Sequence, residues 1–215
     1  MSWSMNEIEA LARKAARGAG MCWGLAEETG KATRALLELG IDAAAPLADL
    51  LAAHDGADYA QIAPRNTDGV WLAGGDALCP ITAGACLSDM ASGLASTPFT
   101  LAHTRFPLFL IPFAQAAARR LACTVRLEWD GVQIDATATA VHLTGARAAL
   151  LAAVTPVVTC TKIASPAGHL FAHAERAEVS PETIARLTAF AHRTYAPATE
   201  ASRQAGAGAG LSDND

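Results

Sequence analysis

The chain opens with helical periodicity and passes into a strand-like pattern. Ser4 followed three residues later by Glu7 forms a capping box. Ile8, Leu11, Ala12, Ala15 and Ala16 then recur at the spacing of one helix face. This helix is predicted to stop at Gly18, in the turn Arg17-Gly18-Ala19-Gly20. A second helix is predicted over 25–39, with Glu27 and Glu28 in its first turn and Gly40 at the left-handed cap. A third over 46–53 ends at His54-Asp55-Gly56.

Beyond that point Gly, Pro, Asp and Asn interrupt the pattern, and 69–72 is the one strand-like piece before residue 80. A short helix is predicted over 84–90, strands over 99–103 and 106–111, and a helix over 113–121. Residues 123–129 alternate and meet Asp130-Gly131, a hairpin turn pair, with 132–135 as the returning strand. Two β-branched runs follow over 137–143 and 157–163. Ser180-Pro181-Glu182 then starts a last helix with a cap residue, a proline at its first position and an early acid. Helices first, then mostly antiparallel strands, then a helix predict an α+β fold, with the N-terminal and C-terminal helices packed on a mainly antiparallel sheet. Residues 1–197 read as one globular domain and 198–215 as a flexible Gly/Ala-rich tail.

Composition narrows the class. Hydrophobic residues make up 52% and charged residues 17%, which excludes a chain disordered throughout. A net charge of −5 argues against nucleic acid as a partner, since no clustered basic face is visible in the sequence. The longest apolar stretches are short and interrupted by Pro107, Pro112 and Pro156, so no membrane partner is expected. Five scattered cysteines without a Cys-x-x-Cys pair suggest neither a disulfide framework nor a zinc ribbon, and a reducing cytoplasm is the simplest compartment. The first residues lack a basic front end and carry Glu7 and Glu9, unlike a signal peptide. Close to a quarter of the residues are alanine, and surface charge is sparse, which favours a homo-oligomer.

The segment Gly18-Ala19-Gly20-Met21-Cys22-Trp23-Gly24-Leu25-Ala26-Glu27-Glu28 resembles an uncharacterised bacterial family of unknown function. The likeness extends to Leu78-Cys79-Pro80-Ile81, to Arg193-Thr194-Tyr195-Ala196-Pro197 and to the GAGAG tail. It implies a small cytosolic bacterial protein and supplies no catalytic residues.

Candidate chemistry comes from the residues themselves. Arg17 and the amides of Gly18 and Gly20 precede a helix start, a place that can hold a phosphate or carboxylate; the plainer reading is a tight helix–helix turn. Cys22 sits just before that helix, where a thiolate is favoured, or it is simply a small packed side chain. Trp23 abuts the same turn and offers a ring for stacking or packing. Cys79 would be a nucleophile if His54 approached it, with Asp55 as the carboxylate, although no motif links the three. Arg203 and the tail are candidates for a lid over the pocket or a contact to a neighbouring subunit; the plainer reading is a disordered terminus. No cofactor is implied, and no metal either: the zinc-protease and calcium-loop spacings are absent. These readings predict a cytosolic protein that binds a small anionic metabolite, with conversion of it left open. The alternative is a non-catalytic partner or assembly subunit of a bacterial metabolic complex.

Overall fold

The computed structural model describes residues 2–195. Their order is β1 (Ser2–Ser4), α1 (Met5–Gly18), α2 (Trp23–Glu38), α3 (Ala44–Ala53), α4 (Tyr59–Ile62), β2 (Val70–Trp71), α5 (Pro80–Asp89) and β3 (Phe99–Arg105). Then come α6 (Ile111–Leu121), β4 (Thr124–Trp129), β5 (Val132–Ala136), β6 (Val141–Thr144), β7 (Val154–Ile163), β8 (His169–Leu170), β9 (Arg176–Glu178) and α7 (Pro181–His192). The fold is α+β. A seven-stranded sheet runs β2-β3-β7-β4-β5-β6-β8, antiparallel except for the β2–β3 edge, and β1 pairs antiparallel with β9.

The capping box forms as the sequence predicts. The Ser4 N–H donates to Glu7 Oε2 at 2.9 Å and the Glu7 N–H donates to Ser4 Oγ at 3.3 Å. Ile8, Ala12, Ala15 and Ala16 face inward and are fully buried. The hairpin also forms, with Asp130 and Gly131 both at positive φ (30° and 78°), as a two-residue turn between twisted strands requires. Helix α6 lies on β4 and β5, and α2 stacks on α5 and α6 further from the sheet. On the far side α1 packs between α2 and α7. Alanines let these helices approach: Ala26, Ala114 and Ala118 have no exposed surface.

Three local expectations are corrected. Residues 106–111 do not form a strand. Phe106 turns at φ 39° into a 3₁₀ turn over Pro107–Leu110, and Leu108, Phe109 and Leu110 are wholly buried. A short apolar run buried on all sides has no period to distinguish strand from helix, and Pro107 cannot donate to a ladder. Of 137–143 only the end is strand. The Thr137 N–H donates to the Ala140 carbonyl at 2.8 Å and the Ala140 N–H donates to Thr137 Oγ1 at 3.0 Å, closing a turn before β6. Helix α2 begins at Trp23, two residues earlier than expected, so Glu27 and Glu28 fall past its first turn.

Candidate functional site

The turn between α1 and α2 is where the fold gathers its chemistry. Its main-chain donors are mostly used internally: Ala19 donates to the Ala15 carbonyl (2.9 Å), Gly20 to Arg17 (3.1 Å) and Met21 to Ala16 (3.1 Å). The expectation that the Gly18 and Gly20 amides face a ligand is therefore corrected. Gly20 provides the φ of 103° that reverses the chain. Gly18 lies in the last turn of α1 and lets it touch α7, since a Cβ there would sit 1.8 Å from the Phe190 carbonyl oxygen. Arg17 Nη1 donates to the Met21 carbonyl at 2.6 Å, and its guanidinium lies 5.2 Å over the Trp23 ring.

On one side of this turn opens a cleft of about 640 Å³, lined by Arg13, Lys14, Arg17, Gly18, Trp23, Glu27, Arg193, Thr194 and Tyr195. Four cations face a single lining carboxylate. Arg193 leans on Asp55 (Nη1 to Oδ1, 2.6 Å) and stacks over Phe190. Lys14 Nζ lies 5.7 Å from the centre of the Tyr195 ring. Arg13 and Lys14 make no ion pair among the described residues. Trp23 and Tyr195 are 65% and 56% exposed, which is unusual for large rings and leaves them open to a ligand. The sequence reading singled out Arg17, Gly18 and Trp23, and missed Arg13, Lys14, Arg193 and Tyr195. Arg13 and Arg17, four apart on one helix face, were a legible signal. Arg193 was not, because only the docking of α7 on α1 brings it there.

On the other side of the turn lies a small cavity of about 40 Å³, lined by Gly20, Met21, Cys22, His54, Tyr59 and Thr82 among others. His54 caps the end of α3 and is 7% exposed, and neither ring nitrogen has a hydrogen-bond partner. Burial, with the nearby Arg105 charge second, lowers its pKa to about 4. Burial also raises the Tyr59 phenol, and the surrounding Cys86, Cys22 and Cys79 thiols add to that.

The triad His54–Asp55–Cys79 does not assemble. Asp55 turns outward to Arg193, and His54 has no partner. Cys79 is fully buried at the start of α5, with its thiol pushed up by burial; its N–H donates to the Ile62 carbonyl at 2.9 Å. A thiol sealed in this way offers no nucleophile to a ligand. Arg203 and the tail 198–215 lie outside the described residues. Among the described residues no group of three or more His, Cys, Asp or Glu is arranged to hold a metal ion, and no helix is long and apolar enough to cross a membrane.

His54 makes stability depend on pH. Its folded pKa lies below the ordinary value of 6.5, so the folded state favours the neutral ring. The contribution is complete above about pH 6.5 and is lost as pH falls from there through 4. Wild-type protein should lose about 2 kcal/mol of unfolding free energy between pH 7.5 and 5 from this group. Urea titrations of wild type and His54→Gln at both pH values check this; parallel losses in the two would remove His54 as the cause.

These features define the class: an α+β protein with a cation-lined cleft and a buried, unpaired histidine on either side of one helix–helix turn. Residues 3–77, which include α1 through β2 and hence the turn itself, match the model of a family described as "Protein of unknown function (DUF3726)". This match to a domain of unknown function is consistent with the resemblance carried by residues 18–28. No curated protein matches the chain. Among solved structures, a malate dehydrogenase from Entamoeba histolytica is similar over 66% of this chain at 11% identity and a TM-score of 0.44. The chain spans less than half of that enzyme's length (45%), and a likeness at this level assigns no activity.

Proposed function

We propose that the protein binds a small anionic metabolite in the cleft between the end of α1, the start of α2 and the end of α7. The observation that supports this is the convergence of Arg13, Lys14, Arg17 and Arg193 on a concave surface with one lining acid, in a chain whose net charge is −5. Like charges gather at such a cost only where a counter-charge offsets their repulsion. Guanidinium groups present paired N–H donors to carboxylate or phosphate, and Lys14 adds a point charge. The exposed Trp23 and Tyr195 rings offer apolar walls for the rest of the ligand. The volume suits a metabolite of ordinary size. The five free cysteines, Cys22 among them exposed, support a reducing, cytoplasmic setting.

Thermal-shift and calorimetric titration with inorganic phosphate, citrate and nucleoside phosphates at low salt tests the reading. A binding anion raises the melting temperature with its concentration. Lys14→Glu and Arg13→Glu should each weaken it about tenfold or more, because each removes a charge-assisted contact and adds repulsion. Arg119→Glu, on the groove between α2 and α6, serves as control. No response to any anion, or equal weakening by Arg119→Glu, rejects the cleft as the site. Co-purification of one protein partner instead would favour an assembly role.

A further inference from the structure

The two halves of the basic cleft differ in kind. Its cations come from α1, where Arg13 and Arg17 are four residues apart with Lys14 between them, and from Arg193 just after α7. Its other half comes from the start of α2, where Trp23 and Glu27, also four apart, share a helix face. Trp71 and Trp129 are buried and Trp3 is half-buried, whereas Trp23 is 65% exposed. The Arg17 guanidinium, held by the Met21 carbonyl, covers one face of the Trp23 ring. The opposite face is thereby left as a platform for a planar group. Glu27 is the second anomaly. Lys31, one turn further on, pairs with Glu28 at 2.9 Å, and Glu27 makes no ion pair among the described residues. A free carboxylate in an anion site repels a ligand that is all charge, such as phosphate or citrate. It is accounted for by a ligand that also carries hydrogen-bond donors.

We propose that the ligand of this cleft is a free nucleoside phosphate. Its phosphate lies against Arg13, Lys14 and Arg193, its base stacks on the open face of Trp23, and its sugar hydroxyls or base amino group donate to Glu27. This rests on the anion-binding reading of the cleft and narrows it to one substrate class. Each part of a nucleotide has its counterpart among the lining side chains: anion to cations, planar ring to indole, donors to carboxylate. A sugar phosphate would leave the indole bare, and a polycarboxylate would meet Glu27 as a like charge. Tyr195 already has Lys14 over its ring and His192 tilted against it, so it borders the site and Trp23 is the platform. The volume of about 640 Å³ lies within the range of small-ligand sites, roughly 300–1,000 Å³. A free nucleotide, not a strand, is the occupant, because these cations are gathered in one hollow of a chain whose net charge is −5.

Calorimetric titration of the intact protein at pH 7.5 and low salt compares AMP with ribose 5-phosphate, its base-free counterpart, and with inorganic phosphate. AMP should bind about tenfold or more tighter than ribose 5-phosphate, the range of base stacking on an aromatic side chain. Trp23→Leu should bring AMP down to the ribose 5-phosphate affinity and leave ribose 5-phosphate itself unchanged. Trp23→Phe, which keeps a ring, should retain most of the preference. Glu27→Gln should narrow the preference for AMP over inorganic phosphate, because AMP loses an acceptor that phosphate never used. Lys14→Glu should weaken all three ligands, and a short oligoribonucleotide should bind no tighter than AMP. Equal binding of AMP and ribose 5-phosphate overturns the nucleotide proposal and leaves the anion reading standing. So does an unchanged preference for AMP in Trp23→Leu or in Glu27→Gln, or tighter binding of the oligoribonucleotide. If AMP, phosphate and citrate all fail to bind, both the proposal and the anion reading fall.

Discussion

Replacing Asp135 with alanine should lower the unfolding free energy by about 3–5 kcal/mol, the cost of breaking a buried ion pair from one side. Asp135, in β5, has no exposed surface, and it is directly opposite Arg126 in the β4–β5 ladder. Its two carboxylate oxygens accept from Arg126 Nε at 2.7 Å and Nη2 at 2.8 Å, a two-point contact that fixes both side chains. The same carboxylate accepts the Ala167 N–H at 2.8 Å, so it also anchors the loop between β7 and β8. Alanine would leave a half-buried guanidinium and a loop amide without their acceptor. Urea unfolding should show a lower midpoint at unchanged slope. The double variant Arg126→Leu/Asp135→Leu should recover much of the loss, because an apolar pair of similar volume carries no desolvation cost. A loss below about 1 kcal/mol in Asp135→Ala would place the pair with ordinary surface bridges.

What the sequence reveals depends on how far apart the interacting residues are. Ser4 and Glu7 recognise each other within one turn, and Asp130-Gly131 fixes its own backbone; both features are readable from neighbours alone. Phe106 to Ile111 is misread because its burial comes from elements distant in the chain, α2, α5 and β7 among them. The pairing of Ser2–Ser4 with Arg176–Glu178 escapes notice for the same reason. The candidate site divides along this line. Arg17, Gly18, Cys22 and Trp23 flag the α1–α2 turn because they are consecutive or nearly so. Arg193 and His54 gain their surroundings only after α3 and α7 dock against α1. Grouping Cys79 with His54 and Asp55 failed because nearness in sequence says nothing of direction. One side chain is sealed beneath α5, one enters a cavity, and one turns outward to an arginine.

Gly18→Ala joins stability to the cleft and should disturb both. The added Cβ would lie 1.8 Å from the Phe190 oxygen and 2.7 Å from its carbon. Both are backbone atoms, so no rotamer change relieves the clash, and α7 must move away from α1. That overpacking should cost about 3 kcal/mol, which for a chain of this size lowers the melting temperature by roughly 6–12 °C. The end of α7 leads directly into Arg193 and Tyr195. Displacing it separates them from Arg13, Lys14 and Arg17, so anion affinity should fall even at temperatures where the variant is fully folded. Gly24→Ala, just across the turn, is the matched control: nothing lies within 4 Å of its Cβ, and it should be neutral or stabilising by up to about 1 kcal/mol. If Gly18→Ala melts with the wild type, the helices tolerate a wider spacing, and the cleft is not held by their contact. If it melts lower yet binds anions as before, the cations reach the ligand without α7, and Arg193 drops out of the site.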